Sequence, residues 1–230
     1  MSHVEWTRYI DAYCERTDPS YWSEPVNAAT NAAFLIAAFV MWRRTKGLDL
    51  LFAPGLIAVL ALIGIGSYLF HTYAQVWSAL ADTTPILMFI LLYVFVATRR
   101  FLDMPTWIAL GVTVLFVPYG AAVGALFATM PFFEVSSFYW PVPVLILVYA
   151  ALLVFRKPVT ARGLAIGAVV LIVSLVFRSI DETVCETVPL GTHFMWHILN
   201  AIMLGWMIEV YRRHELGADQ GGLAARRAGV

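Results

Sequence analysis

Five polar side chains stand out in apolar stretches that hold almost nothing else ionisable: Ser67, His71, Asp82, His193 and His197. Ser67 and His71 are four residues apart, as are His193 and His197, so in helices each pair shares one face. Two imidazoles at that spacing can reach one metal ion, and a third completes three protein ligands. Three histidines plus a water form the open tetrahedral site of catalytic zinc, with the fourth position free for substrate. The expectation is therefore Zn2+ held by His71, His193 and His197. Plainer readings exist for each part. An HxxxH pair can be interfacial, and a lone histidine can simply be packed and hydrogen-bonded. Asp82 can cap a helix with Thr83 and Thr84 in its first turn, and Ser67 can bond back to its own helix. It is their conjunction that favours a metal centre. The remaining histidines, His3 and His214, are expected to be solvated in the tails.

The elements that carry these residues follow from composition. The chain is 61% hydrophobic and only 13% charged, against about 45–50% and 25% in a soluble domain. The excess apolar surface must face lipid. Formal net charge is zero, which gives no reason to expect a nucleic-acid partner. The first 18 residues are too polar for a cleavable signal peptide, so the first span is expected to direct insertion. A spanning helix needs roughly 17–25 mostly apolar residues. Seven stretches qualify: Val26–Trp42, Leu51–Phe70, Thr83–Thr98, Trp107–Met130, Phe138–Phe155, Gly163–Phe177 and Thr192–Tyr211. The predicted fold is all-α, a polytopic seven-helix transmembrane bundle formed as one domain over residues 1–215. Residues 216–230, rich in Gly, Ala and Arg, read as a disordered cytoplasmic tail.

Arg43, Arg44, Lys46, Arg99, Arg100, Arg156, Lys157, Arg162, Arg212, Arg213, Arg226 and Arg227 fall on one side of this arrangement, and only Arg8, Arg16 and Arg178 on the other. Basic residues stay inside, so the amino terminus is expected outside and the carboxyl terminus inside. The five polar residues then share one depth near the outer leaflet, where Trp77, Phe132, Phe133, Tyr139, Trp140 and Trp196 read as an interfacial belt. Cys14 and Cys185 also fall outside, in an oxidising compartment. Position alone leaves both a disulfide and two unrelated thiols open. A transporter should carry polar groups through the whole bilayer, and the fourth and fifth spans have almost none.

The order Ser67-Tyr-Leu-Phe-His71, then Asp82, then His193-Phe-Met-Trp-His197 resembles the alkaline ceramidases. Their wider superfamily of membrane hydrolases includes the adiponectin-receptor-like proteins. Tyr13-Cys14-Glu15 looks like the family's Trp-Cys-Glu, and Glu24 through Asn27 and Thr30 to Asn31 looks like its Glu-x-x-Asn-Thr-x-Ser-Asn. Arg178 through Asp181 to Cys185, followed by Gly191 to His197, is similar to its late run. The resemblance implies a zinc-dependent amidase acting on an N-acyl lipid, ceramide above all, in a multi-pass protein of a bacterial inner membrane. It implies a Cys14–Cys185 disulfide, Asp82 as proton carrier and Ser67 as donor to the oxyanion. It also implies Ca2+ at the amino terminus, through acidic side chains, an asparagine and backbone oxygens. Glu15 and Glu24 match that pattern. Ala12 and Thr17 stand where an aspartate and an asparagine are expected, with Asp11 and Asp18 beside them. Calcium binding and a solvated acidic tail are both open readings of this stretch. Two other functions fit the same pattern: an ester-lipid hydrolase of the superfamily, and a receptor-like protein with structural zinc.

Overall fold

The structure, a computed structural model, describes residues 5–217. The regular elements among the described residues are all helices, with a single isolated backbone bridge between Tyr9 and Gln75 as the only extended pairing. Helix α1 (Pro25–Thr30) and helix α2 (Ala32–Thr45) make a first span interrupted at Asn31. Then come α3 (Ala53–Tyr73), α4 (Val76–Val96), α5 (Thr106–Phe127), the short α6 (Pro131–Glu134), α7 (Pro141–Leu153), α8 (Pro158–Ile180) and α9 (His193–Glu215). A wide π turn, Ala97–Phe101, prolongs α4.

Six of these stretches are long and apolar enough to cross a bilayer: Pro25–Thr45, Ala53–Tyr73, Val76–Phe101, Thr106–Phe127, Pro158–Ile180 and His193–Glu215. The chain is thus built as an integral multi-pass membrane protein. The expected fifth span, Phe138–Phe155, shrinks to the 13 residues of α7. At 1.5 Å per residue that is about 20 Å, short of a hydrocarbon core of roughly 30 Å. Two other helices begin earlier than their apolar runs. α4 starts at Val76 because Gln75 and Ser78 form a reciprocal capping box, and α8 starts with Pro158 in its first turn. Asp82 therefore lies inside α4 rather than at its start, and it does not cap the helix. The expected disordered tail lies, beyond Gly217, outside the described residues, as do His3, Arg226 and Arg227.

Burial sorts the helices into those that face lipid and those that face protein. α9 has the lowest mean hydropathy of the six spans, 1.2, yet 67% of its most apolar window is buried; in α5 the figure is 11%. α9 packs on α8, α2 and α3. It can carry polar side chains because protein, not lipid, surrounds them.

One close approach sets where α3 meets α4. A Cβ on Gly66 would fall 2.0 Å from the Ala81 carbonyl oxygen and 3.2 Å from the Asp82 Cα. Pro85 lies four residues after Ala81 and has no N–H, so the Ala81 carbonyl lacks its usual intrahelical partner. The freed carbonyl turns toward Gly66, which has no side chain in the way. Ser67 and Asp82, the neighbours of this contact in sequence, are brought together by it.

Two expectations about side chains are corrected. Tyr139, Trp140 and Trp196 are buried and do not form a lipid-facing belt. Tyr139 and Trp196 pack on each other, with the Arg178 guanidinium over both rings; a cation on an aromatic face is a favourable use of buried rings. His214 is not a solvated tail residue. It lies in the last turn of α9, hydrogen-bonded to Thr160 Oγ1 at 2.9 Å and to the Arg100 carbonyl oxygen at 3.0 Å. At that same end of the bundle Arg44, Arg212 and Arg213 all pair with the buried Glu209 carboxylate.

The α3–α4 contact predicts a sharp positional effect. Gly66→Ala should lower stability by about 1–3 kcal/mol through overpacking. Gly111→Ala, whose added Cβ meets nothing within 4 Å, should be neutral. Thermal unfolding of the two variants in detergent checks this; equal midpoints would contradict it.

Candidate metal centre

His71 ends α3, and His193 and His197 open α9. The structure brings them into one buried cluster in which one ligand nitrogen of each lies within 4.8 Å of the others. His71 and His197 pack ring to ring at 4.6 Å between centroids, and His193 and His197 at 4.7 Å. The shared face expected from four-residue spacing is realised, and α3 supplies the third imidazole.

Hydrogen bonds fix how two of the rings can act. The Thr30 hydroxyl donates to the carbonyls of Val26 and Asn27 at 2.8 and 3.0 Å. Its proton is committed there, so its oxygen accepts from His197 Nδ1–H at 2.9 Å. That tautomer leaves the His197 Nε2 lone pair free, and Nε2 is buried with no partner. His71 Nδ1–H donates to Glu24 Oε2 at 2.5 Å, which leaves its Nε2 lone pair free as well. His193 Nδ1 is also buried without a partner. Buried polar atoms are normally satisfied, and an orphan of this kind points to an unseen ion or water. Neutral imidazoles held by a carboxylate or hydroxyl at the far nitrogen are the usual dress of metal-binding histidines. The donor set fits a divalent transition metal such as zinc.

The remaining expected residues are close by. Ser67 is buried on α3, and its side chain faces the half-buried Asp82 carboxylate of α4. Tyr13 stacks on His193 with 3.6 Å between ring centroids. Burial pushes its phenol up to about 12, despite the nearby Arg178, so it remains a neutral hydroxyl. Cys14 and Cys185 are joined in a disulfide, with 5.3 Å between their Cα atoms. Beside it the buried Asp181 gathers three backbone amides: Cys14 at 3.0 Å, Thr192 at 2.6 Å and His193 at 2.8 Å. A carboxylate at the amino end of α9 satisfies its first amides and complements its dipole. Gly191, at φ +66°, makes room for it; a Cβ there would lie 2.2 Å from Asp181 Oδ1.

A sequence model of the family described as Ceramidase matches residues 10–220. The chain belongs to the ceramidase family. A search of curated proteins returns no match. The match takes in the histidine cluster, Ser67, Asp82 and the disulfide. It also covers the stretch of this ceramidase-family chain in which calcium is expected. There Glu15 accepts the amides of Val26 and Asn27, both at 2.7 Å, and so closes the amino end of α1. Glu24 is buried against Arg16, Asn27 and His71. Burial alone would raise the Glu24 carboxyl; the hydrogen bonds of His71, Arg16 and Asn27 hold it below its ordinary range.

The supports of the histidines were not identified from sequence. Glu24 is 47 residues from His71, and Thr30 is 167 from His197. The available signal was the Glu24…Asn27…Thr30-Asn31 stretch, whose polar residues recur at helical spacing just where an apolar span begins.

These contacts predict a graded metal affinity. The purified protein should carry about one zinc per chain, lost in His197→Ala. Thr30→Ala should keep the fold and bind zinc about 10–100-fold more weakly, as outer-shell substitutions do. Elemental analysis and chelator competition measure both, and a Thr30→Ala affinity equal to the parent's would contradict the tautomer assignment.

Proposed function

We propose that this protein is a zinc-dependent intramembrane amidase that hydrolyses an N-acyl lipid, ceramide being the best fit, to a sphingoid base and a fatty acid. The observation that carries the reading is an apolar cavity whose lining starts one helical turn from the site residues. Ile63 lies one turn below Ser67, Ile86 one turn below Asp82 and Asn200 one turn below His197, and all three line it. From there it runs among Phe89, Tyr93 and Met203 to Tyr149. A long acyl or sphingoid chain placed in it presents its polar linkage to the histidines. The family match supports an amide as that linkage.

His71, His193 and His197 would hold the metal. A zinc ion there supplies a polarised carbonyl and a water whose pKa falls to about 7. Asp82 accepts a proton from the attacking water and delivers it to the departing nitrogen as the C–N bond breaks. Ser67 donates a hydrogen bond to the carbonyl oxygen as negative charge develops on it. Tyr13 and the disulfide hold the amino-terminal segment over the cluster and limit entry of bulk water.

We further infer seven crossings with α7 as a short one, amino terminus outside, in a bacterial inner membrane with the site near the outer leaflet. The basic residues support it: the arginines around Glu209 mark the opposite end of α9 from His193, about 24 Å away at 1.5 Å per residue. A structural-zinc receptor needs a fourth protein ligand to close the site. Among the described residues the histidines group without a carboxylate, which favours the enzyme. An ester-lipid hydrolase would use the same residues, so the substrate test must include both linkages.

Asp82→Asn should keep zinc and fold while losing turnover, and Ser67→Ala should lose roughly 10²–10³-fold as one oxyanion donor. The assay is fatty acid release in detergent from ceramide and from a chain-matched ester lipid. Ester hydrolysis alone would move the function to a lipase. No release from either by zinc-loaded protein would favour the receptor. Full activity in Asp82→Asn would refute the proton-carrier role.

A further inference from the structure

The resemblance implies a calcium ion in the amino-terminal segment, and the residues found there do not fit one. The reason is Arg16. Its guanidinium is buried, with 0% of the side chain exposed, and it pairs through Nε with Glu24 Oε1. Nη1 donates to the carbonyl oxygens of Asp18 at 3.2 Å and Ser20 at 3.4 Å, and Nη2 to that of His71 at 2.9 Å. One cation therefore already collects a carboxylate and three backbone carbonyls, the hard oxygen donors that calcium takes. A calcium ion among the same oxygens would stand beside a fixed positive charge in a site with little water to screen it. The other carboxylates are placed elsewhere. Glu15 closes α1 through both of its oxygens. Asp18 is exposed and turns Oδ1 to the Ser20 amide at 2.7 Å, and Asp11 is exposed.

We propose that Arg16 is the built-in cation of this segment, which binds no calcium, and that it is a positioning residue for His71. Arg16 holds Glu24 through one carboxylate oxygen while Glu24 Oε2 receives His71 Nδ1–H. Arg16 also grips the His71 carbonyl directly, so ring and backbone of one metal ligand are tied to a single guanidinium. The planar fork matters here, because a lysine ammonium cannot reach the carboxylate and the carbonyls together in that plane. The positioning half rests on the metal-centre reading above; the calcium half does not.

The experiment has two arms. Zinc-loaded full-length protein in detergent is dialysed against radioactive calcium and unfolded thermally, with calcium raised to about 10 mM, beyond the roughly 10⁻⁴–10⁻³ M of weak extracellular sites. Magnesium serves as the ionic control. The expected result is no bound calcium and equal midpoints in the two ions. About one calcium per chain, or a midpoint raised by calcium over magnesium, overturns the proposal. In the second arm, zinc affinity is measured by chelator competition. Arg16→Gln should weaken it about 10–100-fold, whereas Arg43→Gln, far from the cluster, should leave it unchanged. Arg16→Lys, which keeps the charge but not the fork, should fall between and covers the case in which Arg16→Gln does not fold. Parental zinc affinity in a folded Arg16 variant overturns the positioning role. A parent that binds no zinc would sink the metal centre and leave the calcium result standing.

Discussion

Three imidazoles facing one another inside an apolar bundle make an arrangement that cannot persist for nothing. Each buried nitrogen without a partner costs on the order of 1–3 kcal/mol, and protonating the rings to make them donors would set like charges side by side away from water. A shared metal ion removes the conflict, since it takes lone pairs from neutral rings and returns far more than hydrogen bonds could. Much of the fold reads as a consequence of holding those rings neutral and aimed. Thr30 and Glu24 take the far nitrogens of His197 and His71, and Asp181 takes the amide of His193.

Glu24 and Asp181 lie outside the spanning stretches, and Thr30 lies in the first, interrupted one. The segment before α1 runs over the site end of the bundle, pairs with the α3–α4 turn at Ile10 and Ala74, and is bolted by the disulfide to the stretch before α9. Arg16, Glu24 and Tyr13 all lie in it. An irregular segment of turns can follow the outline of a site in a way a straight helix cannot. It is secured by a covalent bond, a buried ion pair and Asp181. The break at Asn31 has the same logic: it sets α1, which carries Thr30, apart from α2 within the first span.

How much of this was legible in the sequence depends on the reach of each interaction. Spans were readable because lipid demands unbroken apolar runs. His71, His193, His197 and Asp82 were readable because ionisable residues within such runs are rare and expensive. The joining of Cys14 and Cys185 was consistent with topology. The short α7 was not legible, since Phe138, Tyr139 and Trp140 look apolar but belong to a turn before Pro141. The depth of Asp82 was missed because hydropathy does not register the Gln75–Ser78 capping box. Trp196 and Tyr139 looked like interface residues because aromatic character does not reveal whether a ring meets lipid or Arg178. Arg16 looked like a tail charge; only the fold turns it inward onto Glu24.

An open metal centre made by three histidines is what the other features of the site serve. X-ray absorption at the zinc edge of the purified protein tests this most directly. The predicted spectrum has three imidazole nitrogens at about 2.0–2.1 Å and one oxygen ligand, with the same nitrogen shell in Asp82→Asn. A fourth ligand that disappears in Asp82→Asn would make the site closed and structural, and fewer than three imidazoles would contradict the histidine cluster as the centre.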